Sequence, residues 1–339
     1  MIKIEKNKNI TEFTTLKVGC RAEFFCIVKN KEELLGAIAW SKKNKQPLFI
    51  LGGGSNILIS KKIKGLVIKN EIKGIQILKE NKEFVLIEGM SGESWTKFVG
   101  FTVNQGLFGL ENLFLIYGTV GGAPVQNIGA YGVELKDVFY ELSAFNLKTG
   151  REKKFSATDC RFAYRDSIFK NKLRGQYFIY SVTLKLKKKA ELKLEYGSLR
   201  ETLLQKGIKK PSLKDVILVI SEIRNSKLPI PGILPNAGSF FKNTEVNLTV
   251  FEKLQKKYPD IPSFPLSKTK VKIPSAWLIE QAGFKGKKIG PVRMYEHQAL
   301  ILVNEGKASA RQVLSLIKEV KVAVKKKFGL DLVEEVNII

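Results

Sequence analysis

Residues 118–132 read Gly118-Thr119-Val120-Gly121-Gly122-Ala123-Pro124-Val125-Gln126-Asn127-Ile128-Gly129-Ala130-Tyr131-Gly132. Five glycines in one short run cost conformational entropy unless something fills the space their side chains vacate. Backbone this bare can lie against a flat or anionic ligand. Gln126 and Asn127 add amides, which both donate and accept and so can bond the edge of a ring. The alternative is an ordinary long loop.

A second glycine run, Gly52-Gly53-Gly54-Ser55-Asn56, follows the apolar residues 48–51, which read as a short strand. Phosphate-binding turns sit at such strand ends, where backbone N–H groups can approach an anion. The run is not a dinucleotide fingerprint, because Ile57 takes the last glycine's place and residues 57–59 read as strand rather than helix. No Gly-Lys-Ser/Thr follows, so it is not a Walker loop. A tight strand-to-strand turn remains the plain alternative.

Working outward, residues 31–43 carry Leu34, Leu35, Ile38 and Ala39 at helical spacing, with Pro47 beyond. Residues 66–68, 75–78 and 84–87 read as strands, and 93–104 as a helix with Trp95, Phe98 and Val99 on one side. Phe178, Tyr180, Val182, Leu184 and Leu186 alternate as in a half-buried strand. Leu228-Pro229-Ile230-Pro231 reads as a rigid linker into Asn236-Ala237-Gly238-Ser239-Phe240-Phe241-Lys242-Asn243. A short helix is expected over 274–282, a buried strand over 299–303, and an amphipathic helix over 308–328 ended by Gly329. Residues 330–339 read as a final strand. Strands and helices mix throughout, so the class is α/β or α+β.

Composition removes several functions. Three Cys and one His cannot form a Cys/His zinc site, so no metal is expected. Lys and Arg number 58 against 32 Asp and Glu, a formal charge of +26. That excess suggests a polyanionic partner. Only nine of the basic residues are Arg, and the Lys are scattered from Lys3 to Lys327 rather than clustered with aromatics, so no nucleic-acid module is expected. No apolar run reaches membrane-spanning length, and Met1-Ile2-Lys3-Ile4-Glu5 has no signal core. Unpaired Cys usage suits the cytosol, so a cytoplasmic protein with no membrane partner is expected.

Three residues stand out chemically, each with a plain alternative. Arg165 follows apolar residues and can clamp a carboxylate bidentately, or pair structurally with Asp166. Ser239 is a hydroxyl among aromatics, or a turn serine. Glu334 and Glu335 point to opposite faces of a strand, so one can face inward, or both are surface acids. His297 reads as a loop or core-edge side chain.

These motifs in this order resemble one family along essentially the whole chain, UDP-N-acetylenolpyruvoylglucosamine reductase. The pieces that carry the resemblance are Asn9-Ile10-Thr11-Glu12-Phe13-Thr14-Thr15, residues 52–56, residues 118–135, residues 164–169, residues 236–243, residues 298–304 and the terminal Glu335-Val336. The resemblance implies an α+β fold: a two-lobed FAD-binding domain of the vanillyl-alcohol-oxidase (PCMH) type plus a C-terminal substrate-binding domain. The blocks expected are FAD lobes over 1–70 and 71–218, a substrate domain over 219–326 and a terminal strand over 327–339. FAD would be held by Gly52, Gly53, Gly54, Ser55 and Asn56, and by Gly118, Thr119, Gly122, Ala123, Gln126, Asn127, Gly129, Ala130 and Tyr131. The implied reaction passes hydride from NADPH through FAD to UDP-N-acetylglucosamine enolpyruvate. Arg165 and Glu335 would stabilise the developing negative charge and Ser239 would donate the proton. Tyr196, Lys227, Asn243 and Gln298 would bind substrate, Tyr196 marking the longer subtype, with a monomer as the expected state. Tyr117, Phe114, Thr244 and Pro291 depart from the family's usual residues without removing a catalytic group. A different flavoprotein of the same fold, such as an oxidase, is disfavoured because it has no need to protonate an enol.

Overall fold

A computed structural model describes residues 2–339, and the chain divides into two compact units. The first comprises Met1–Asn9, Arg21–Gly53 and Ile63–Ser226; the second comprises Ile10–Cys20, Gly54–Lys62 and Lys227–Ile339.

The first unit holds two sheets. In one, Leu66–Asn70 runs parallel to both Arg21–Val28 and Leu48–Leu51, and Glu5–Asn9 pairs antiparallel on the outer edge. The helix Lys31–Lys43 makes the connection between two of these strands. Asn30 caps it by accepting from the Glu33 N–H at 2.8 Å. Glu32 and Glu33 open the helix and Lys42 and Lys43 close it, each charge opposing the nearer end of the dipole. The helix buries Leu34, Ala37 and Ile38 against Cys26, Val28, Leu66 and Ile68.

The other sheet is antiparallel, in the order Glu152–Ser156, Phe139–Asn146, Tyr177–Lys187, Phe84–Met90, Ile75–Glu80. The long central strand is less one-sided than its sequence suggests: Phe178, Val182, Leu184 and Leu186 are buried, but so are Ile179, Ser181 and Thr183 on the other face, while Tyr180 is only half-buried. The helix Trp95–Asn104 starts two residues later than the pattern suggested, because Ser94 is its cap. Trp95, Phe98 and Val99 enter the core, and the indole N–H donates to the Leu113 carbonyl at 2.9 Å.

The second unit is built on a four-stranded sheet of Asn236–Ser239, Ile301–Asn304, Val292–Met294 and Lys288–Ile289. A three-stranded sheet of Thr244–Asn247, Lys270–Ile273 and Phe264–Pro265 accompanies it. The helix Ala310–Phe328 has a Ser309–Gln312 capping box and stops at Gly329, whose φ of 71° suits a left-handed cap. Val313, Leu316, Ile317, Val320, Val324 and Phe328 form its buried stripe. Burial at that spacing stabilises by about 1.5–3 kcal/mol per large side chain.

The C-terminal segment departs from the expected continuous strand. Only Asn337–Ile338 is regular strand, parallel to Ile57–Leu58, and Glu334 makes an isolated bridge to Phe241. Leu330, Leu332 and Val336 are buried as alternation demands, but the segment takes its hydrogen bonds from two different neighbours, so no single ladder forms. The expected linker at 228–231 instead continues into a turn, in which the Ile233 and Leu234 N–H groups donate to the Ile230 carbonyl. The helices Leu199–Gln205, Leu213–Lys227 and Leu248–Lys257 are additional to those the sequence pattern predicts.

Among the described residues, no helix is long and apolar enough to cross a membrane, and no group of three or more His, Cys, Asp or Glu is placed to hold a metal. The three cysteines are free thiols. Burial pushes the Cys26 and Cys160 thiols up to about 12.

Candidate functional site

Gly52 and Gly53 meet the glycine run 118–132 within the first unit. A Cβ on Gly53 would stand 3.1 Å from the Gly118 Cα, and one on Gly52 would stand 3.1 Å from the Thr119 Oγ1. Main chain thus lies directly on main chain, which leaves backbone rather than side chains to line the surface there. The first run is also where the chain passes between units, because Gly54, Ser55 and Asn56 group with the second.

The long glycine run is an ordered element rather than a slack loop. Val120–Val125 forms a short 3-10 helix, and Gly129–Ala130 pairs with Val133–Glu134 as a small hairpin. Within the run, the Gly122 N–H donates to the Thr119 carbonyl and the Ile128 N–H to the Ala123 carbonyl. Asn127 is fully buried, with φ at 46°. Its amide donates to Glu134 at 3.0 Å and to the Ala163 carbonyl at 3.1 Å, and its Oδ1 accepts from the Lys136 N–H at 3.0 Å. Both ends of this side chain therefore hold protein.

Arg165 sits at the corner of a tight turn closed by two hydrogen bonds between Ala163 and Asp166, each 3.1 Å. Its φ is 51°, a left-handed conformation unusual for a side-chain-bearing residue. Nη2 donates to the Gly129 carbonyl at 2.5 Å, and the guanidinium lies 5.3 Å from the centre of the Tyr164 ring. A Cβ on Gly129 would be 2.9 Å from the Arg165 Nη1, so this glycine leaves room for the guanidinium. The Asp166 carboxylate accepts from Asn171 and from the Ser167 N–H.

Tyr196 is 42% exposed in the loop after Tyr177–Lys187 and lies against the glycine run. A Cβ on Gly132 would be 3.5 Å from the Tyr196 Cβ. One buried side chain clasps these two segments. Asn112 donates to the Tyr131 carbonyl at 2.8 Å and to the Lys193 carbonyl at 2.7 Å. Asn112→Ala removes the donor from two carbonyls that are only part-buried, so each lost bond costs about 0.5–1.5 kcal/mol. The expected outcome is a loss of about 1–3 kcal/mol in urea unfolding. A loss under about 0.5 kcal/mol, the size of an ordinary surface substitution, would show that the clasp is not needed.

Arg224 is a functional candidate that the sequence alone does not single out. It lies on the helix Leu213–Lys227, and its half-buried guanidinium hydrogen-bonds the Tyr131 side chain. Burial holds Arg224 below its ordinary value, opposed by Tyr131 and Tyr117. Burial likewise raises the Tyr131 phenol, against the pull of Arg224. A guanidinium facing phenols has charge left to offer an anion. Lys227 ends the same helix.

In the second unit, Ser239 closes the strand Asn236–Ser239, half-buried, after Gly238 and before the fully buried Phe240 and Phe241. The Glu335 N–H donates to the Phe240 carbonyl at 2.8 Å, so Ser239 and Glu335 stand on neighbouring backbone segments. The Asn56 amide donates to the Glu335 carbonyl at 3.3 Å, and Asn337 donates twice to the Asn56 carbonyl at 3.1 Å. Glu334 pairs with Lys321 at 2.7 Å. Asn243 accepts from the Ser275 N–H at 3.1 Å, at the start of the helix Ser275–Gln281. Gln298 accepts from the Leu300 N–H at 3.3 Å.

Known proteins match the chain at both levels. Residues 22–156 match the profile of an FAD binding domain, and residues 230–339 that of the UDP-N-acetylenolpyruvoylglucosamine reductase C-terminal domain. UDP-N-acetylenolpyruvoylglucosamine reductase of Flavobacterium johnsoniae is 43% identical over 339 residues, covering 100% of both chains. The solved structure of the Thermus caldophilus reductase aligns with a TM-score of 0.66 at 23% identity, covering 100% of this chain and 98% of the other. The 6-hydroxy-D-nicotine oxidase of Arthrobacter nicotinovorans aligns at 0.52 and 11%, covering 99% and 89%. The expected α+β flavoprotein fold is borne out. The bare approach of Gly53 to Gly118, with the Lys69 ammonium beneath Gly52, fits an anionic dinucleotide such as FAD.

Proposed function

The chain belongs to the UDP-N-acetylenolpyruvoylglucosamine reductase family, and from that membership we infer an NADPH-dependent enzyme of peptidoglycan precursor synthesis. It reduces UDP-N-acetylglucosamine enolpyruvate to UDP-N-acetylmuramate. The observation that carries this reading is the end-to-end match to a reductase, with an FAD-domain match and a reductase-domain match on one chain.

Bound FAD would supply the hydride-transfer chemistry between NADPH and the enolpyruvyl group. Gly52, Gly53, Gly54, Ser55 and Asn56 would hold one part of the cofactor, and the run from Gly118 to Tyr131 another. Asn127 contributes through the shape of the loop it braces. The remaining work belongs to the protein. Hydride addition builds negative charge on the substrate carboxylate, which Arg165 and a protonated Glu335 stabilise by hydrogen bonding. Ser239 delivers the proton to the neighbouring carbon. A free serine is a weak acid, so its alkoxide must be stabilised or its proton replaced by relay. Tyr196, Asn243 and Gln298 hold the sugar nucleotide, and Lys227 neutralises its diphosphate. The enzyme works as a cytoplasmic monomer, its FAD lobes lying mostly in the first unit and its substrate domain, with Glu335, in the second.

The test is anaerobic. The purified protein is expected to be yellow, to bleach with NADPH, and to recolour rapidly only when the enolpyruvyl sugar nucleotide is added. Recolouring by oxygen but not by the sugar nucleotide would make it an oxidase. A colourless chain that cannot be reconstituted with FAD would end the flavoenzyme reading.

A further inference from the structure

Lys69 takes no part in that mechanism, yet it is the cation beneath the first glycine run. It lies on the central strand Leu66–Asn70, in register with Leu51, and Gly52 follows directly. Its ammonium donates to the Gly52 carbonyl at 2.6 Å. Burial lowers its proton affinity, Glu71 acts against that, and Lys73 adds to it. Burial there disfavours the charged form, and the contact with the Gly52 carbonyl fixes where the side-chain nitrogen lies.

The acceptor is one end of a peptide group whose other end is the Gly53 N–H. The described chain has no cis peptide, so this carbonyl and N–H point in opposite directions across one plane. An ammonium at the oxygen end therefore aims the Gly53 N–H away from Lys69. It also polarises that N–H, because hydrogen bonds in series strengthen one another. Gly53 is the residue whose missing side chain lets Gly118 approach, which places this peptide beside the glycine run 118–132.

We propose that Lys69 is a positioning residue for the cofactor: through the Gly52–Gly53 peptide it orients and strengthens a backbone donor for the FAD diphosphate. This rests on the flavoenzyme reading. It differs from a general folding role in one respect. The effect falls on the phosphate-bearing part of the cofactor and leaves the ring system's affinity alone.

The experiment uses the deflavinated full-length protein and titrates FAD and riboflavin separately, following quenching of flavin fluorescence. Lys69→Met is expected to raise the FAD dissociation constant at least tenfold and to change that of riboflavin less than twofold. Lys69→Arg, which keeps a charged donor, is expected to recover most of the FAD affinity. Equal losses for FAD and riboflavin would overturn the proposal, as would no loss for either. If Lys69→Met fails to fold, Lys69→Gln carries the same two-ligand comparison, and equal losses or none overturn the proposal there too. Wild-type protein that binds neither flavin would instead defeat the flavoenzyme reading.

Discussion

Ser239→Ala is expected to leave reduction by NADPH at its wild-type rate and to slow reoxidation by the enolpyruvyl substrate by about 10²–10⁴-fold, the range for loss of a general acid. Stopped-flow absorbance near the flavin maximum separates the two steps. The split follows from the proposed role of the hydroxyl. On the proposed mechanism, NADPH oxidation needs no proton from Ser239, whereas protonation of the enol carbon does. The change should be close to silent in stability. Ser239 is half-buried at the end of its strand, and the core contacts there belong to Phe240 and Phe241, both fully buried. Unfolding should shift by no more than about 0.5 kcal/mol, so a slow variant cannot be dismissed as a damaged one. Ser239→Cys retains a proton donor in nearly the same place and should recover part of the rate. If both half-reactions ran unchanged in the alanine variant, Ser239 would not be the acid.

How much of this is legible in the sequence depends on whether the signal is local. The helix Lys31–Lys43 has its cap, charges and apolar spacing written within fifteen residues, and its bounds match the expected ones. The helix Ala310–Phe328 has its stop written in Gly329. The helix Leu213–Lys227 carries comparable signals. Ser212 and Asp215 exchange hydrogen bonds at its start, and Val216, Val219 and Ile220 form its buried stripe. They are masked because its apolar residues crowd together and resemble a strand, and Arg224 is masked with them.

Other features cannot be read locally. Asn112 acts on Tyr131 and Lys193, 19 and 81 residues away, and no short-range pattern marks it. Lys69 stands just beyond an apolar strand core and looks like one more surface lysine in a chain of charge +26. Its meaning comes from the partner strand, which brings Leu51 into register with it and so carries the Gly52 carbonyl over its ammonium. The excess charge as a whole teaches less than this single residue. Much of it lies at exposed positions, where isolated pairs such as Lys154 with Glu141 contribute about 0–1 kcal/mol.

Gly54→Ala is expected to be the most damaging single change in the glycine runs, and the damage should be to folding as well as to cofactor binding. Gly54 has φ at 64°, where an added Cβ costs about 1–2 kcal/mol by itself. The larger cost is steric. The Cβ would stand 2.0 Å from the Phe13 carbonyl oxygen and 3.0 Å from the Thr14 Cα, both backbone atoms that cannot swing aside. Nor can residue 54 retreat easily. Its carbonyl accepts from the Thr15 N–H at 3.0 Å, and the Thr15 hydroxyl is fixed in turn by the Asn236 carbonyl at 2.7 Å. Relieving the clash therefore means breaking the contact between residues 13–15 and the glycine run, and loosening Asn236, which begins the strand carrying Ser239. A destabilisation of more than about 3 kcal/mol is expected, at the upper end of single-substitution effects. Thermal and urea unfolding of the apo protein would measure it without reference to the cofactor. The matched control is Gly106→Ala, because Gly106 also has a left-handed φ, 69°, but no neighbouring atom within 4 Å of an added Cβ. That control should lose only the conformational part. Equal losses at the two positions would mean that backbone strain alone fixes glycine at 54, and that the packing of Phe13 against it contributes nothing.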